Sequence, residues 1–336
     1  MINKNAHLNP KLFDKDIEQI PSRQGYGEGL VLAGEENKNV VALCADLTES
    51  TKTKAFAEKF PDRFVEIGVA EQNLATVAAG MALGGKIPFI SSYATFSPGR
   101  NWEQIRTTIC YNDVPVKIIG SHAGVSVGPD GATHQALEDM AIMRALPNMI
   151  VISPTDSIEA RKATMAIARL PQPCYIRLSR EKIPVVTTDQ TPFEIGKAEV
   201  FNGSTSSSQV ATIIATGQMV YRALLAAKAL ESHKISVRVI NCHTIKPLDQ
   251  ETILKAAKDT GAIVTAEEHQ ITGGLGGAVA EVLSQNYPVP LKIIGVEDRF
   301  GESGDPNELM EKFGLSVDHL IKAVNHVLKL KKAGDV

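Results

Sequence analysis

The chain has 336 residues, 43% of them hydrophobic and 22% charged, a size for about two domains and a composition that excludes disorder throughout. Its 35 basic and 38 acidic residues give a net charge of −3. That balance excludes nucleic-acid binding by bulk charge but leaves room for a local basic pocket.

The first segment, residues 1–20, is polar and lacks the apolar core of a signal peptide. No apolar run reaches the roughly 18 residues that a membrane span needs. The spacing of Cys44, Cys110, Cys174 and Cys242 suits neither a metal site nor a disulfide framework. These features point to a cytoplasmic protein with no membrane or nucleic-acid partner.

Along residues 21–182 the pattern predicts strands at Val40–Cys44, Ile87–Tyr93, Val114–Ser121, Met149–Ser153 and Cys174–Ser179. Helices are expected at Gln72–Leu83, Asn101–Tyr111, Gln135–Ala145 and Ser157–Leu170. Residues 183–202 read as a linker, because Ile183–Gly196 has two prolines, three threonines and no period. Gly203–Ser208 reads as a polar surface turn.

From 203 to 336 the alternation resumes. Strands are expected at Val210–Thr216, Ile235–Asn241, Ala262–Glu267 and Leu291–Val296. Helices are expected at Gln218–Ser232, Asp249–Thr260 and Gly276–Gln285, and two short helices close the chain. The predicted fold is α/β, with two domains, each a mostly parallel sheet flanked by helices.

In such sheets ligands bind beyond the carboxyl ends of the strands. The loop after Val40–Cys44 holds Asp46, Thr48 and Ser50, polar groups that order a loop or face a ligand. Glu71 opens a helix that is small and apolar all round, which predicts a buried helix. Its carboxylate either complements the helix dipole or, against apolar walls, exchanges a proton near neutrality. Phe96 sits on a Pro/Gly-rich loop, where an aromatic is able to stack on a flat ring.

The richest loop is Ser121–Gln135, with His122, Asp130 and His134 among three glycines. Two imidazoles and a carboxylate suit sugar hydroxyls and proton transfer, and they lack zinc spacing. Arg180 after the fifth strand and Arg23 near the start are cations suited to a phosphate. The Gly-rich run Ile271–Gly277 imitates a dinucleotide fingerprint but lacks its last glycine, so a tight strand-to-helix turn is expected.

Five segments in order, ADLTES (45–50), IGVAEQN (67–73), YATFSPGRNWEQIR (93–106), GPDGATHQALED (128–139) and RLSRE (177–181), resemble the C-terminal part of transketolase. The resemblance runs from Ser22 to about Gly301. It implies a pyrimidine-binding domain of thiamine-diphosphate enzymes followed by a transketolase C-terminal domain. That family binds the diphosphate through a Gly-Asp-Gly motif and a divalent cation, and no Gly-Asp-Gly occurs here. The resemblance therefore implies one subunit of a split transketolase. A partner subunit would carry the diphosphate-binding domain and most ligands to Mg²⁺ or Ca²⁺, in an α2β2 heterotetramer.

It also implies roles. Glu71 would bond the aminopyrimidine and promote ylid formation, Phe96 would stack on that ring, and Asp46 would lie near the cofactor. His134 would sit by the reacting oxygen and Asp130 would read a hydroxyl. Arg23, Ser50, His122 and Arg180 would hold the sugar phosphate. Gly99 stands where many relatives have a second aromatic, although Trp102 follows. The activity implied is transfer of a two-carbon ketol unit from a ketose phosphate to an aldose phosphate. Alternatives are a deoxyxylulose-phosphate synthase, a 2-oxoacid dehydrogenase β subunit, a non-catalytic assembly subunit and an NAD-binding oxidoreductase.

Overall fold

The computed structural model describes residues 1–203 and 210–334. The expected turn at Gly203–Ser208 lies, beyond its first residue, outside them. In the first half the elements run β1 (Gln19–Ile20), α1 (Ser22–Glu36), β2 (Val40–Cys44), α2 (Lys54–Lys59), β3 (Phe64–Glu66) and α3 (Glu71–Leu83). They continue with β4 (Ile87–Tyr93), α4 (Trp102–Gln104), β5 (Lys117–Ser121), α5 (Asp139–Arg144), β6 (Ile150–Ile152), α6 (Ser157–Ile167), β7 (Cys174–Arg177) and β8 (Ile183–Pro184).

The second half has β9 (Glu199–Asn202), β10 (Val210–Ala215), α7 (Met219–Glu231), β11 (Ser236–Asn241), β12 (Thr244–Lys246) and α8 (Gln250–Thr260). It closes with β13 (Ile263–Gln270), α9 (Leu275–Asn286), β14 (Leu291–Val296), α10 (Pro306–Lys312) and α11 (Val317–Gly334).

The first sheet has seven strands in the order β12-β6-β7-β5-β4-β2-β3, and the second has five in the order β14-β13-β10-β11-β9. Every central pairing is parallel. β12 and β9 join their sheets antiparallel, each at an edge. The strands of both sheet centres are buried end to end, as expected where helices cover both faces. This is the two-domain α/β fold that the alternation predicts.

Some details differ. Helix α1 escapes the sequence pattern because it contains four glycines, which depress helix propensity. They serve close packing instead: a Cβ on Gly25 would lie 1.7 Å from the Ser157 carbonyl oxygen on α6. The expected strand from Val114 starts only at Lys117, beyond Pro115. The expected helix from Gln135 starts only at Asp139, and the one from Asn101 becomes a π-helix over Ile105–Cys110. The last helix is long, 18 residues.

Residues 183–202 are built into the fold. β8 pairs with β1, and β9 with β11. Val186 N, Thr187 N and Thr187 Oγ1 all donate to the buried carboxylate of Asp156. All four cysteines are buried free thiols. Among the described residues no helix is long and apolar enough to cross a membrane, and no acidic, His or Cys cluster has the makings of a metal site.

Candidate active site

Apart from Arg23, which follows β1 of the two-stranded sheet, the expected site residues lie on loops or helix starts that follow first-sheet strands, where parallel sheets place ligands. Glu71 is the first residue of α3 and is 4% exposed. Its Oε1 accepts from Arg100 Nη1 at 3.0 Å, and Asn101 Nδ2 donates to its carbonyl at 2.9 Å. The Arg100 guanidinium also lies over the Phe96 ring, 4.1 Å from its centre. A cavity of about 580 Å³ opens beside Glu71, Val69, Asn73 and Arg100.

Glu71 is thus not walled by apolar groups alone, and α3 is not buried all round. Gln72, Asn73, Thr76, Gly80 and Leu83 are exposed, and Val69 and Leu83 are each 69% exposed. The apolar composition predicts a covered helix, and among the described residues nothing covers one face of it.

The loop after β5 also reaches Phe96. His134 meets the Phe96 ring edge-on, with centres 5.3 Å apart. His122 stacks on Tyr93 at 3.9 Å, and Ser121 Oγ lies 2.8 Å from its Nδ1. Burial, reinforced by the charges of Arg23 and Arg180 and by His134, pushes the His122 pKa down to about 3. His122 is therefore a neutral hydrogen-bonding group at neutral pH.

Arg23 stands in the first turn of α1. Its Nη1 donates to the Ser50 carbonyl at 2.6 Å and its Nε to the Arg180 carbonyl at 3.2 Å. Ser50 is thus engaged through its backbone. Arg180 donates to the Val127 carbonyl and lies 3.8 Å from Asp130 Oδ1. Burial pulls the Arg23 pKa down, and the charge of Arg180 adds to that. Two half-buried cations that repel each other favour an anion between them.

Asp46 is exposed, in the left-handed region at φ 58°, and no hydrogen bond joins its side chain to this cluster. Its link to Glu71 is indirect. Glu66 Oε1 accepts from both Asp46 N, at 2.7 Å, and Gly68 N, at 3.0 Å, in the turn that leads to Glu71. The structure thus joins Glu71 with Phe96, and groups Arg23, Ser50, His122, Asp130, His134 and Arg180 around the neighbouring loops. Sequence reasoning missed Glu66, Tyr93 and Arg100. Glu66 lies on a three-residue edge strand, too short for a period, whereas Tyr93 and Arg100 were visible only as letters of the YATFSPGRNW segment.

The Gly-rich turn before α9 holds no nucleotide seat. Its own Glu267, fully buried, accepts from Leu275 N and Gly276 N at 2.7 Å each. A carboxylate already occupies the place where a pyrophosphate would sit, which removes the oxidoreductase alternative.

Residues 18–185 match the family of the transketolase pyrimidine-binding domain, and residues 204–320 match that of the transketolase C-terminal domain. The chain belongs to the transketolase family. A putative transketolase C-terminal section from Methanocaldococcus jannaschii is 44% identical, over 91% of this chain and 96% of that one. A 6-deoxy-6-sulfo-D-fructose transketolase subunit from Clostridium sp. is 40% identical, over 95% and 98%. Among solved structures, a split-gene transketolase described as an inactive beta4 tetramer superposes with a TM-score of 0.86 at 47% identity, covering 93% of this chain and 99% of that one. Transketolases are thiamine-diphosphate enzymes that use a divalent metal ion.

Proposed function

We propose that this chain is the subunit of a two-chain transketolase that carries the aminopyrimidine side of the site. It takes part in moving a two-carbon ketol unit from a ketose phosphate to an aldose phosphate. The observation that carries this reading is the placement of Arg100: a planar group with N–H donors stacks on Phe96 and bonds the buried Glu71 carboxylate. An aminopyrimidine ring makes the same two demands, so the residues fit the cofactor.

Thiamine diphosphate, when bound, supplies a carbon nucleophile. Glu71 holds or exchanges a proton at its carboxylate, and Phe96 offers a ring face. Arg100, half exposed, would leave this place to the ring when the cofactor binds. Arg23 and Arg180 hold the anionic end of the sugar with neutral His122 beside them, while Asp130 and His134 meet its hydroxyls and reacting oxygen. Asp46 remains a candidate at the rim.

A partner chain would bring the diphosphate and metal-binding part and would cover the open face of α3, in an α2β2 assembly in the cytoplasm. The match over nearly the full length of subunit-sized relatives supports this. So does the solved relative described as inactive in its beta4 form. The purified chain should show no ketol transfer at any thiamine diphosphate concentration, and addition of the partner should establish it. Robust turnover by the chain alone would overturn the two-chain reading.

One observation favours a second substrate. The relative from Clostridium sp. is named for a sulfonated ketose, and the N–H donors of an arginine pair also suit the three anionic oxygens of a sulfonate.

A further inference from the structure

The loop after β5 carries three of the residues just assigned to substrate, and its shape is imposed from the second domain. Gly124, at φ 92°, rests on Glu268 of β13: a Cβ there would lie 2.2 Å from the carboxylate. Gly131, at φ 74°, rests on Ser303, with 2.6 Å left for a Cβ. Neither position tolerates a side chain while the second domain stays where it is.

Polar contacts follow the same division. Ser126 N donates to Glu268 Oε1 at 2.7 Å. Gln218, at the start of α7, donates to Ser126 Oγ at 2.9 Å and to the other Glu268 oxygen. Gln135 Nε2 donates to the Glu302 carbonyl at 2.9 Å and to the Val125 and Gly128 carbonyls at 3.2 Å each. Glu268 is 3% exposed, so its charge is tolerable only because these donors satisfy it. Arg177 fixes it from behind by donating to its carbonyl at 2.6 Å. Pro129, Asp130, Ala132 and Thr133, between the tethered positions, remain exposed.

We propose that Glu268 and Gln135 are positioning residues through which the second domain sets substrate recognition, holding Asp130 and His134 in register with Arg180 and Phe96. The role in recognition rests on the function proposed above; the tether itself does not. In the isolated full chain, Glu268→Gln should speed amide hydrogen exchange across residues 124–134 by about ten-fold or more, the scale of a lost charge-assisted bond, with the strands of both sheets unchanged. Gln218→Ala, at a half-exposed site, should do the same to a smaller degree and serves if Glu268→Gln fails to fold.

In the reconstituted complex, with D-fructose 6-phosphate as donor, KM should rise by a similar factor. Exchange of the thiazolium C2 proton, which depends on Glu71, should stay at the wild-type rate. Unchanged loop protection would overturn the tether. Faster loop exchange with unchanged KM would overturn the role in recognition. If the wild-type complex transfers no ketol unit while the loop still loosens, the functional reading fails and the tether stands.

Discussion

Two buried glutamates stand beside helix starts, one in each domain. Glu71 is the first residue of α3, after the Gly68 turn, and Glu267, on β13 ahead of the Gly-rich turn, accepts from the first N–H groups of α9. Both complement a helix N-terminus, and both are buried. Their surroundings differ. Glu267 is closed in by two backbone N–H donors, by Gly274 and by His269, whose Nδ1 lies 3.8 Å away. Glu71 has one side-chain partner, the half-exposed Arg100, and a cavity beside it. A buried carboxylate beside a helix start therefore has two fates: structural where the protein's own N–H groups consume the acceptor, and available for chemistry where they do not.

Exchanging the two is the sharpest way to break this contrast. Glu71→Gln in the reconstituted complex should slow exchange of the C2 proton of bound thiamine diphosphate by about two orders of magnitude, as for loss of a general acid–base group. The thermal midpoint should barely move. Glu267→Gln should do the reverse: wild-type exchange, with a stability loss of about 1–3 kcal/mol, because the amide keeps one acceptor oxygen and leaves one of the two N–H partners unsatisfied. Wild-type exchange in Glu71→Gln with cofactor bound would make Glu71 structural as well.

A third buried carboxylate extends the comparison to pH. Glu159 accepts from Thr155 N at 2.6 Å and from Asn241 Nδ2, across the domain junction, at 2.7 Å. Burial, with the adjacent Asp156 charge, pushes its pKa up from 4.5 to about 8. The folded chain thus keeps a proton that the unfolded chain releases above 4.5. Stability should be full below that value and fall as pH rises toward 8, by up to about 1.4 kcal/mol per pH unit. Thermal midpoints measured from pH 5 to 9 should decline in the wild type and flatten in Glu159→Gln. A flat wild-type profile would show that this carboxyl is ionised in the fold.

Arg180 tests the open side of the contrast with a smaller effect. Arg180→Ala should raise KM for phosphorylated sugars by about ten-fold, the scale of a charge-assisted contact, and change it less for unphosphorylated analogues. Equal losses for both would leave Arg180 a structural support for the Val127 carbonyl.

Most strands and the strand-end loops were legible because buried parallel strands read as short apolar runs with polar loops behind them. Glu71, Phe96 and the loop 121–135 were visible for that reason. Helix α1 was not, since its glycines answer to packing on α6 rather than to propensity. Arg100 and Glu66 were not, because their roles depend on which side chains the fold brings near. The buried helix expected at α3 did not follow from composition alone, because Gln72, Asn73, Thr76, Gly80 and Leu83 are exposed in this chain. Gln135 looked like the start of a helix and instead clamps its loop across the domain junction.

The edge strand β12 bears on where such a chain can be divided. It follows β11 of the second sheet yet lies along β6 of the first, with Thr244 beside Ile152 and Lys246 beside Val151. A polypeptide cut between the halves would leave β6 an open edge, with unpaired N–H and C=O groups on apolar residues. Such an edge recruits strands from other molecules. It would also strip Asn241 from Glu159, stranding a buried carboxyl in a chain that had lost its own lid. The two halves are sewn together by backbone. A break between these two sheets would convert one stable chain into two self-associating fragments.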